Sequence, residues 1–359
     1  MKVKLEDVCE RGSSNLKQSD VIGKSGDYPI YGAAGYIGNV DFFHQDKPYV
    51  AVVKDGAGIG RTVLLPAKSS VIGTMQYLLP KDNVLPEYLS YVVRYMHLEK
   101  YFSGATIPHI YFRDYKNEEF NLDTIEKQRE IVDILGNVQT VIDARQQELQ
   151  KLDELVKARF VEMFGEYDLA KAKSEWVAVS EIGKVVGGST PKTSVPEYWD
   201  GEYRWISPAE LKQDSGIIYD SVKKITKAGI DSCSLQEIPV GTVILSSRAP
   251  IGKVAIAGNT FYCNQGFKNI VCNEKVLPRY LYSLLLFNTE YLNSLGRGAT
   301  FKEISKSIVE NIRIPVPSLE SQNEFVKFCD HVDKSKVAVQ KALEEAQLLF
   351  DSLMQEFFG

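Results

Sequence analysis

Residues 131–163 read IVDILGNVQTVIDARQQELQKLDELVKARFVEM, and one regular spacing runs through all of them. Steps of alternately four and three residues from Ile131 meet an apolar side chain at every position except Arg145 and Arg159. The series is Ile131, Leu135, Val138, Ile142, Arg145, Leu149, Leu152, Val156, Arg159 and Met163. A 3.5-residue apolar period held over four heptads predicts a coiled-coil seam on a long helix.

A second series with the same spacing lies near the other end of the sequence. It consists of Phe325, Cys329, Val332, Lys336, Val339, Leu343, Ala346, Phe350, Leu353 and Phe357. We predict that the two helices pack against each other within the chain; helices that instead dimerise two copies are the alternative. The predicted interface residues are Leu135, Ile142, Leu149, Val156, Val332, Val339, Leu343 and Phe350. Asp123 or Thr124, and Ser318, are suitable N-caps.

The two series belong to a repeat of the whole chain. VLPEYL at 84–89 matches VLPRYL at 276–281 with an offset of 192 residues. EKQREIV at 126–132 matches ESQNEFV at 320–326 with an offset of 194, as does MFG at 163–165 with the FFG at 357–359. Several matches in one order indicate two copies of one unit, at about 1–165 and 177–359, the first shorter by about 20 residues near its beginning.

Composition and charge exclude several classes of protein. The sequence has no long apolar run and no signal-peptide pattern at its start, so we expect a cytoplasmic protein without a membrane partner. Its five cysteines form no metal-binding or disulfide pattern. The net charge of −5 is unevenly distributed: residues 121–175 and 315–359 each carry −4, whereas 1–120 carry 0 and 176–314 carry +3.

The remaining parts of each copy have the pattern of mixed strands and helices. Short apolar runs, such as YVAVV at 49–53 and TVLL at 62–65, alternate with Gly, Pro and Asn. Pro86 and Pro278 are placed to begin helices, where a missing N–H costs nothing. We predict an α+β fold with two tandem α/β domains, each followed by one long helix. The predicted segments are 1–120 (first domain), 121–165 (central helix), 166–176 (linker), 177–314 (second domain) and 315–359 (C-terminal helix).

Three possible catalytic or cofactor sites are weak. The glycines of KDGAGIGR at 54–61 follow a strand as a dinucleotide loop would, but another strand-like run follows where a helix is needed. Asp200, Glu210 and Lys212 have the residue types of a metal-dependent nuclease without its strand context. The four histidines show no metal-binding or triad spacing. We therefore predict no cofactor, no metal and no catalytic residue.

A duplicated chain without an evident catalytic site suggests binding, and both copies place cations on glycine-rich loops beside strands. Together with Gln, His and aromatic side chains such as Phe267 and Phe301, these cations can contact phosphates and base edges. Solvated loops with ordinary charges are the alternative. The predicted DNA-binding residues are Lys54, Arg61, His109, Tyr111, Arg113, Lys192, Arg204, Arg248, Lys253, Gln265, Lys268, Arg297 and Lys302.

The motifs of the second copy, taken in order, resemble the target-recognition unit of type I restriction-modification specificity subunits, the HsdS family. They are GGSTPKT, YWDGEYRWISPAEL, SSRAPIGKVAI, NQGFKNI, RGATFKEIS and IRIPVPSLESQNEFV. The first copy, with GDYPIYGAAGYIG, DGAGIGRTVLL and EKQREIVDIL, is similar to another version of that unit. The resemblance covers essentially the whole chain. It implies two tandem α/β target-recognition domains separated by two long antiparallel coiled-coil helices, one central and one C-terminal, with a pseudo-twofold internal repeat.

This resemblance implies a noncatalytic subunit whose two domains each read one half of a bipartite double-stranded DNA site. It also implies two docked methyltransferase subunits that methylate adenine, and restriction and translocase subunits that join for cleavage. The recognition component of a related modification or phage-defence system is a second possibility. A duplicated coiled-coil scaffold that does not touch DNA is the alternative from a different class.

Overall fold

The computed structural model describes residues 1–104, 108–165, 167–248, 250–298 and 302–359. Before the first long helix, the strands are β1 (Lys2–Lys4), β2 (Cys9–Ser13), β3 (Tyr28–Gly32), β4 (Gly35–Val40), β5 (Tyr49–Val53), β6 (Thr62–Leu65), β7 (Ser70–Val71), β8 (Met75–Pro80) and β9 (Glu119–Asn121). The helices are α1 (Leu5–Val8), α2 (Pro86–Tyr95), α3 (Phe112–Tyr115) and the long α4 (Ile125–Phe164). The strands predicted at 49–53 and 62–65 are therefore confirmed, as is the helix start at Pro86.

The second part of the chain contains the strands β10 (Val177–Ala178), β11 (Gly183–Gly187), β12 (Trp199–Ile206), β13 (Asp214–Ile218), β14 (Lys223–Ile225), β15 (Val243–Leu245), β16 (Val254–Ala257), β17 (Tyr262–Cys263), β18 (Lys268–Cys272) and β19 (Arg313–Ile314). Its helices are α5 (Val179–Ile182), α6 (Lys227–Ser232), α7 (Pro278–Phe287), α8 (Thr289–Ser294), α9 (Lys306–Glu310) and the long α10 (Leu319–Phe358). The predictions of a mixed helix and sheet chain and of two long helices are confirmed.

The chain forms two compact units that do not follow the sequence order. Unit 1 comprises residues 1–147 together with 339–359, and unit 2 comprises residues 148–338. Each unit thus contains one half of α4 and one half of α10.

The strand order is the same in both units. The main sheet of unit 1 has the order β2-β8-β5-β6, and that of unit 2 has the order β11-β18-β15-β16 followed by β13. A second sheet has the order β4-β3-β7 in unit 1 and β14-β12-β17 in unit 2, with one antiparallel and one parallel pairing in each. The additional strand β13 pairs parallel with β16, and it lies in the stretch by which the second copy is longer.

The hydrophobic core of each unit joins the main sheet, one short helix and both long helices. In unit 1, the fully buried Val52, Leu89, Leu135 and Phe350 belong to one cluster. In unit 2, Leu245, Tyr280, Phe160 and Phe325 do the same, and the rings of Phe160 and Tyr280 are stacked with centroids 5.4 Å apart. Burial of such side chains contributes roughly 1.5–3 kcal/mol each to folding.

The predicted interface residues on the long helices turn away from solvent. Leu135, Ile142, Val156, Val332, Val339 and Phe350 are buried, and Leu149 and Leu343 are half-buried. Within unit 2, Lys336 pairs with Asp153, and Arg159 pairs with Glu324 at 2.6 Å. Ascending numbers on α4 therefore meet descending numbers on α10, so the two helix segments of this unit run in opposite directions.

A buried glutamine fixes the short helix to the long one in each unit. Gln128 Oε1 accepts the N–H of Leu85 at 2.8 Å, and its Nε2 donates to the carbonyls of Asn83 and Asp123. Gln322 makes the equivalent bonds to Leu277, Lys275 and Pro317. Both glutamines have no exposed surface. We call these two side chains the glutamine clamps.

We predict that replacing a glutamine clamp destabilises the protein strongly. Gln322→Ala leaves one N–H and two carbonyls without partners, and each buried unsatisfied group costs about 1–3 kcal/mol. We expect a loss of at least about 3 kcal/mol in the free energy of unfolding, measured by urea denaturation. Gln340→Ala is the matched control, because Gln340 is exposed on the same helix and donates to Glu344. An equal loss in both variants would contradict the role of the clamp.

Candidate nucleic-acid interface

In unit 1, a loop between two strands and a second loop after α2 bring predicted site residues together. Val53 and Gly60 close the turn between β5 and β6 with a backbone bond of 2.9 Å. Ile110 N donates to the Lys54 carbonyl at 2.9 Å, which attaches the second loop to this turn. The turn is a strand-turn-strand connection, as predicted, so a helix does not follow its glycines.

The side chains at this junction form a group that we call cluster 1: Lys54, Asp55, Arg61, His109, Tyr111 and Arg113. His109 Nδ1 lies 2.7 Å from an Asp55 carboxylate oxygen, and Lys54 Nζ lies 3.6 Å from the other oxygen. The rings of His109 and Tyr111 are stacked, and the Arg113 guanidinium lies over the Tyr111 ring at 4.7 Å. Tyr111 and Arg113 are exposed, so cluster 1 offers aromatic and cationic surface to a ligand.

Unit 2 repeats the backbone of this junction with different side chains. In unit 1, the backbones of Ser103 and His109 exchange two hydrogen bonds of 2.8 Å. In unit 2, Arg297 and Glu303 occupy the positions 194 residues later and exchange two bonds of 3.0 Å. Glu303 also bridges to Arg248, as His109 bridges to Asp55. The backbone frame is shared, whereas the chemistry it presents differs.

We call the corresponding group of side chains in unit 2 cluster 2: Thr190, Arg248, Gln265, Lys268, Arg297 and Glu303. Lys268 Nζ lies 3.2 Å from Glu303 and 3.2 Å from Ser247 Oγ. Arg248 lies 3.9 Å from the same carboxylate, and Thr190 donates to the Gln265 side chain. Gln265 and Arg297 are exposed, and so is Lys302 beside them.

Glycines make room for this arrangement at one point. A Cβ on Gly266 would lie 2.9 Å from Pro208 and 3.4 Å from the Arg248 side chain. A larger residue there would therefore crowd Pro208 and the Asn264 side chain, which lies 3.0 Å from the same point, and it would touch Arg248. Beneath the loop, burial raises the pKa of the Cys263 thiol to about 12, so this thiol stays protonated.

The remaining predicted residues lie elsewhere or have other contacts. Lys192 is exposed, and its carbonyl accepts the Trp199 indole N–H at 3.2 Å. Arg204 pairs with Asp220 at 3.2 Å; a bond from the Ser221 N–H, assisted by Lys224 and Arg204, lowers the pKa of that carboxyl. Phe267 is fully buried, and Phe301 lies outside the described residues.

Lys253 donates to the carbonyls of Pro208 and Leu211 beside β16. It aligns with Arg61, which is exposed and within the described residues makes no side-chain hydrogen bond or ion pair. Two aligned cations therefore have different surroundings.

Sequence reasoning missed Asp55 and Glu303, which pair with predicted basic residues, and Thr190, which donates to the predicted Gln265. An acidic side chain was not sought at a surface expected to meet phosphates. The offset of 194 nevertheless places Glu303 on His109, so the alignment contained a signal for it.

Glu210, one of the residues considered above for a metal-dependent nuclease, has structural contacts. The Glu210 carboxylate accepts the N–H groups of Ser207 and Val222, at 3.0 and 2.7 Å. Among the described residues, no group of three His, Cys, Asp or Glu is placed to hold a metal ion. In the same parts of the chain, no helix is long and apolar enough to cross a bilayer.

One backbone arrangement that occurs twice in a chain and carries different exposed side chains is typical of modular binding proteins. The chain belongs to the family of the type I restriction modification DNA specificity domain, whose model matches residues 1–154 and 172–348.

Two curated relatives come from Methanocaldococcus jannaschii. The type I restriction enzyme MjaIX specificity subunit is 38% identical over 212 residues, which cover 56% of this chain and 49% of that protein. The putative type I restriction enzyme MjaX specificity subunit is 25% identical over 290 residues, covering 73% of this chain and 66% of that protein. The chain thus spans about half to two thirds of the length of these relatives.

Solved structures support the fold. The S subunit of a type I restriction-modification system from M. genitalium has a TM-score of 0.60 at 16% identity, covering 100% of this chain and 96% of that chain. A chain from a structure on complex assembly and conformational transition of the type I R-M system has a TM-score of 0.57 at 16% identity, covering 99% and 96%.

We predict that the aligned cations Lys253 and Arg61 respond differently to substitution. Lys253→Met leaves two carbonyls without a donor and should lower the free energy of unfolding by about 1–3 kcal/mol. Arg61→Met should change it by no more than about 0.5 kcal/mol, as is usual for exposed positions. Urea denaturation of both variants gives the comparison, and equal losses would show that the contacts of Lys253 are not structural.

Proposed function

We propose that the chain is a noncatalytic DNA sequence-recognition subunit of a type I restriction-modification complex. Each unit reads one half of a bipartite site and directs partner methyltransferase and nuclease subunits to it. The observation that carries this proposal is the shared backbone frame of clusters 1 and 2 with different exposed side chains. Clusters 1 and 2 suit an asymmetric, two-part target, because the same backbone arrangement presents a different set of hydrogen-bond donors and acceptors in each unit.

The side chains of both clusters suit duplex DNA. Arginine can bind the O6 and N7 of guanine with two hydrogen bonds, and glutamine can bind adenine in the same way. Arg248, Arg297 and Gln265 offer these groups in unit 2. Arg113 and His109, beside Tyr111, offer donors in unit 1. Lys54, Arg61, Lys192, Arg204, Lys253, Lys268 and Lys302 complete the proposed set. The exposed Arg61, Lys192 and Lys302 are proposed to contact phosphates.

The long helices are proposed to serve as spacer and docking surface. In this proposal, their 3.5-residue seam forms an antiparallel coiled coil, and the two domains are related by a pseudo-twofold axis. The domains correspond to residues 1–120 and 177–314, and the helical segments to 121–165 and 315–359, with a linker at 166–176. An α-helix of 40 residues, as α4 and α10 each are, is about 60 Å long.

The proposed partners are double-stranded DNA, two methyltransferase subunits, and restriction and translocase subunits. Their support is the family to which the chain belongs and the names of its relatives. The helical segments 121–165 and 315–359 carry net charges of −3 and −4, so they are poor surfaces for DNA and are proposed to face protein. Adenine as the methylated base follows from the family alone.

We predict that Arg248→Ala with Arg297→Ala abolishes modification of the target without affecting assembly. Removing each of two paired base contacts costs about 1–3 kcal/mol, so the double variant should lower affinity for the cognate site by roughly 30-fold or more. The test co-expresses the chain with its methyltransferase partner, maps methylated bases in genomic DNA, and checks the complex by size-exclusion chromatography. A bipartite methylated motif is expected with the wild-type chain.

Lys171→Ala with Lys227→Ala is the control, since it also removes two exposed positive charges from unit 2, away from cluster 2. It should leave the methylation map unchanged. If the Arg248 and Arg297 variant also left it unchanged, the assignment of these residues would be wrong. A complex that assembles but methylates nothing with any variant or with the wild type would favour the DNA-free scaffold.

A further inference from the structure

Glu303 is an acidic side chain at the centre of a surface proposed to meet DNA. Its carboxylate lies 3.2 Å from Lys268 Nζ and 3.9 Å from Arg248, and 40% of its side chain is exposed. Its backbone pairs with both Arg248 and Arg297. A carboxylate repels phosphates, so its presence here lowers the electrostatic affinity of cluster 2 for any DNA.

Glu303 differs from an isolated surface charge because it restrains neighbouring basic side chains. Lys268 is held on three sides, by Glu303, by Ser247 Oγ and by the Gln265 carbonyl at 3.3 Å, and 13% of its side chain is exposed. A lysine fixed in this way is unable to reach out and settle on an arbitrary phosphate. Arg248 is restrained more loosely by the same carboxylate and can turn toward a base edge.

Unit 1 contains the same type of pair with acid and base exchanged. At the position equivalent to Glu303 lies His109, and its partner across the bridge is Asp55 at 2.7 Å. Asp55 also lies 3.6 Å from Lys54 Nζ. In both clusters a carboxylate therefore occupies the bridge and holds two basic side chains. Because a carboxylate lies at the same place in the backbone of both clusters, we infer that it has the same role in both units.

We propose that Glu303 is a positioning residue that determines specificity for the half-site read by unit 2. It orients Arg248 and restrains Lys268, so that binding energy comes from base contacts rather than from phosphates of any sequence. This inference rests on the proposed function.

The test is Glu303→Gln in the complex with the methyltransferase subunits. Affinity is measured by fluorescence anisotropy over a salt series, for the mapped cognate duplex and for duplexes altered in one half-site at a time. Glutamine preserves size and removes the charge, so nonspecific DNA should bind more tightly, with the salt dependence of log K steeper by about 0.9. The ratio of cognate affinity to that for DNA altered in the half-site of unit 2 should fall at least about fivefold, the lower range of a bidentate base contact.

Discrimination at the other half-site should stay unchanged, and Glu303→Asp should restore part of the lost ratio. A purely structural role would instead lower specific and nonspecific affinity together, with a reduced melting temperature, and that result would overturn the inference. An unchanged ratio in a complex whose wild type discriminates well would also overturn it while leaving the proposed function intact. A wild-type complex that binds all duplexes equally would mean that the proposed function itself has failed.

Discussion

The glutamine clamps attach the short helix of each unit, which packs on the main sheet, to a long helix. Gln128 and Gln322 are wholly buried and bond to backbone groups at the start of the short helix. A second bond repeats near each clamp: Tyr88 donates to the Asn121 carbonyl at 3.1 Å, and Tyr280 donates to the Pro315 carbonyl at 2.9 Å. Because the clamps bond to backbone atoms, this attachment is independent of the side chains that the loops present. Exposed loop residues can therefore differ between the units while the backbone frame stays constant.

Much of this frame could be predicted from the sequence. Patterns that depend on burial were informative, since YVAVV and TVLL begin and end at the residues where β5 and β6 do. The start of the short helices followed from Pro86 and Pro278, because proline fits the first turn. The clamps stand at the third residue of EKQREIV and ESQNEFV, a match that marked the repeat but not its buried hydrogen bonds.

The candidate interface was less predictable, because residue identity does not determine where a long side chain points. Lys253 and Arg61 align and carry the same charge, yet one caps carbonyls and the other is exposed. Glu303 has the opposite charge to that expected of a DNA contact. Its proposed role depends on its contacts with Lys268 and Arg248. Such roles depend on distances of about 3 Å between residues far apart in sequence, which periodicity does not encode.

Unit 1 is built from two separate segments of the chain, so it is completed late during synthesis on the ribosome. Unit 2 is one continuous stretch, whereas the core of unit 1 includes Phe350 and Met354, which emerge long after residue 147. At about 5–20 residues per second, the missing segment takes roughly 10–40 s to follow. During that interval Leu135 and Ile142 lack the side chains that cover them in the finished unit. The nascent chain thus exposes an apolar helix face until residues 339–359 are made.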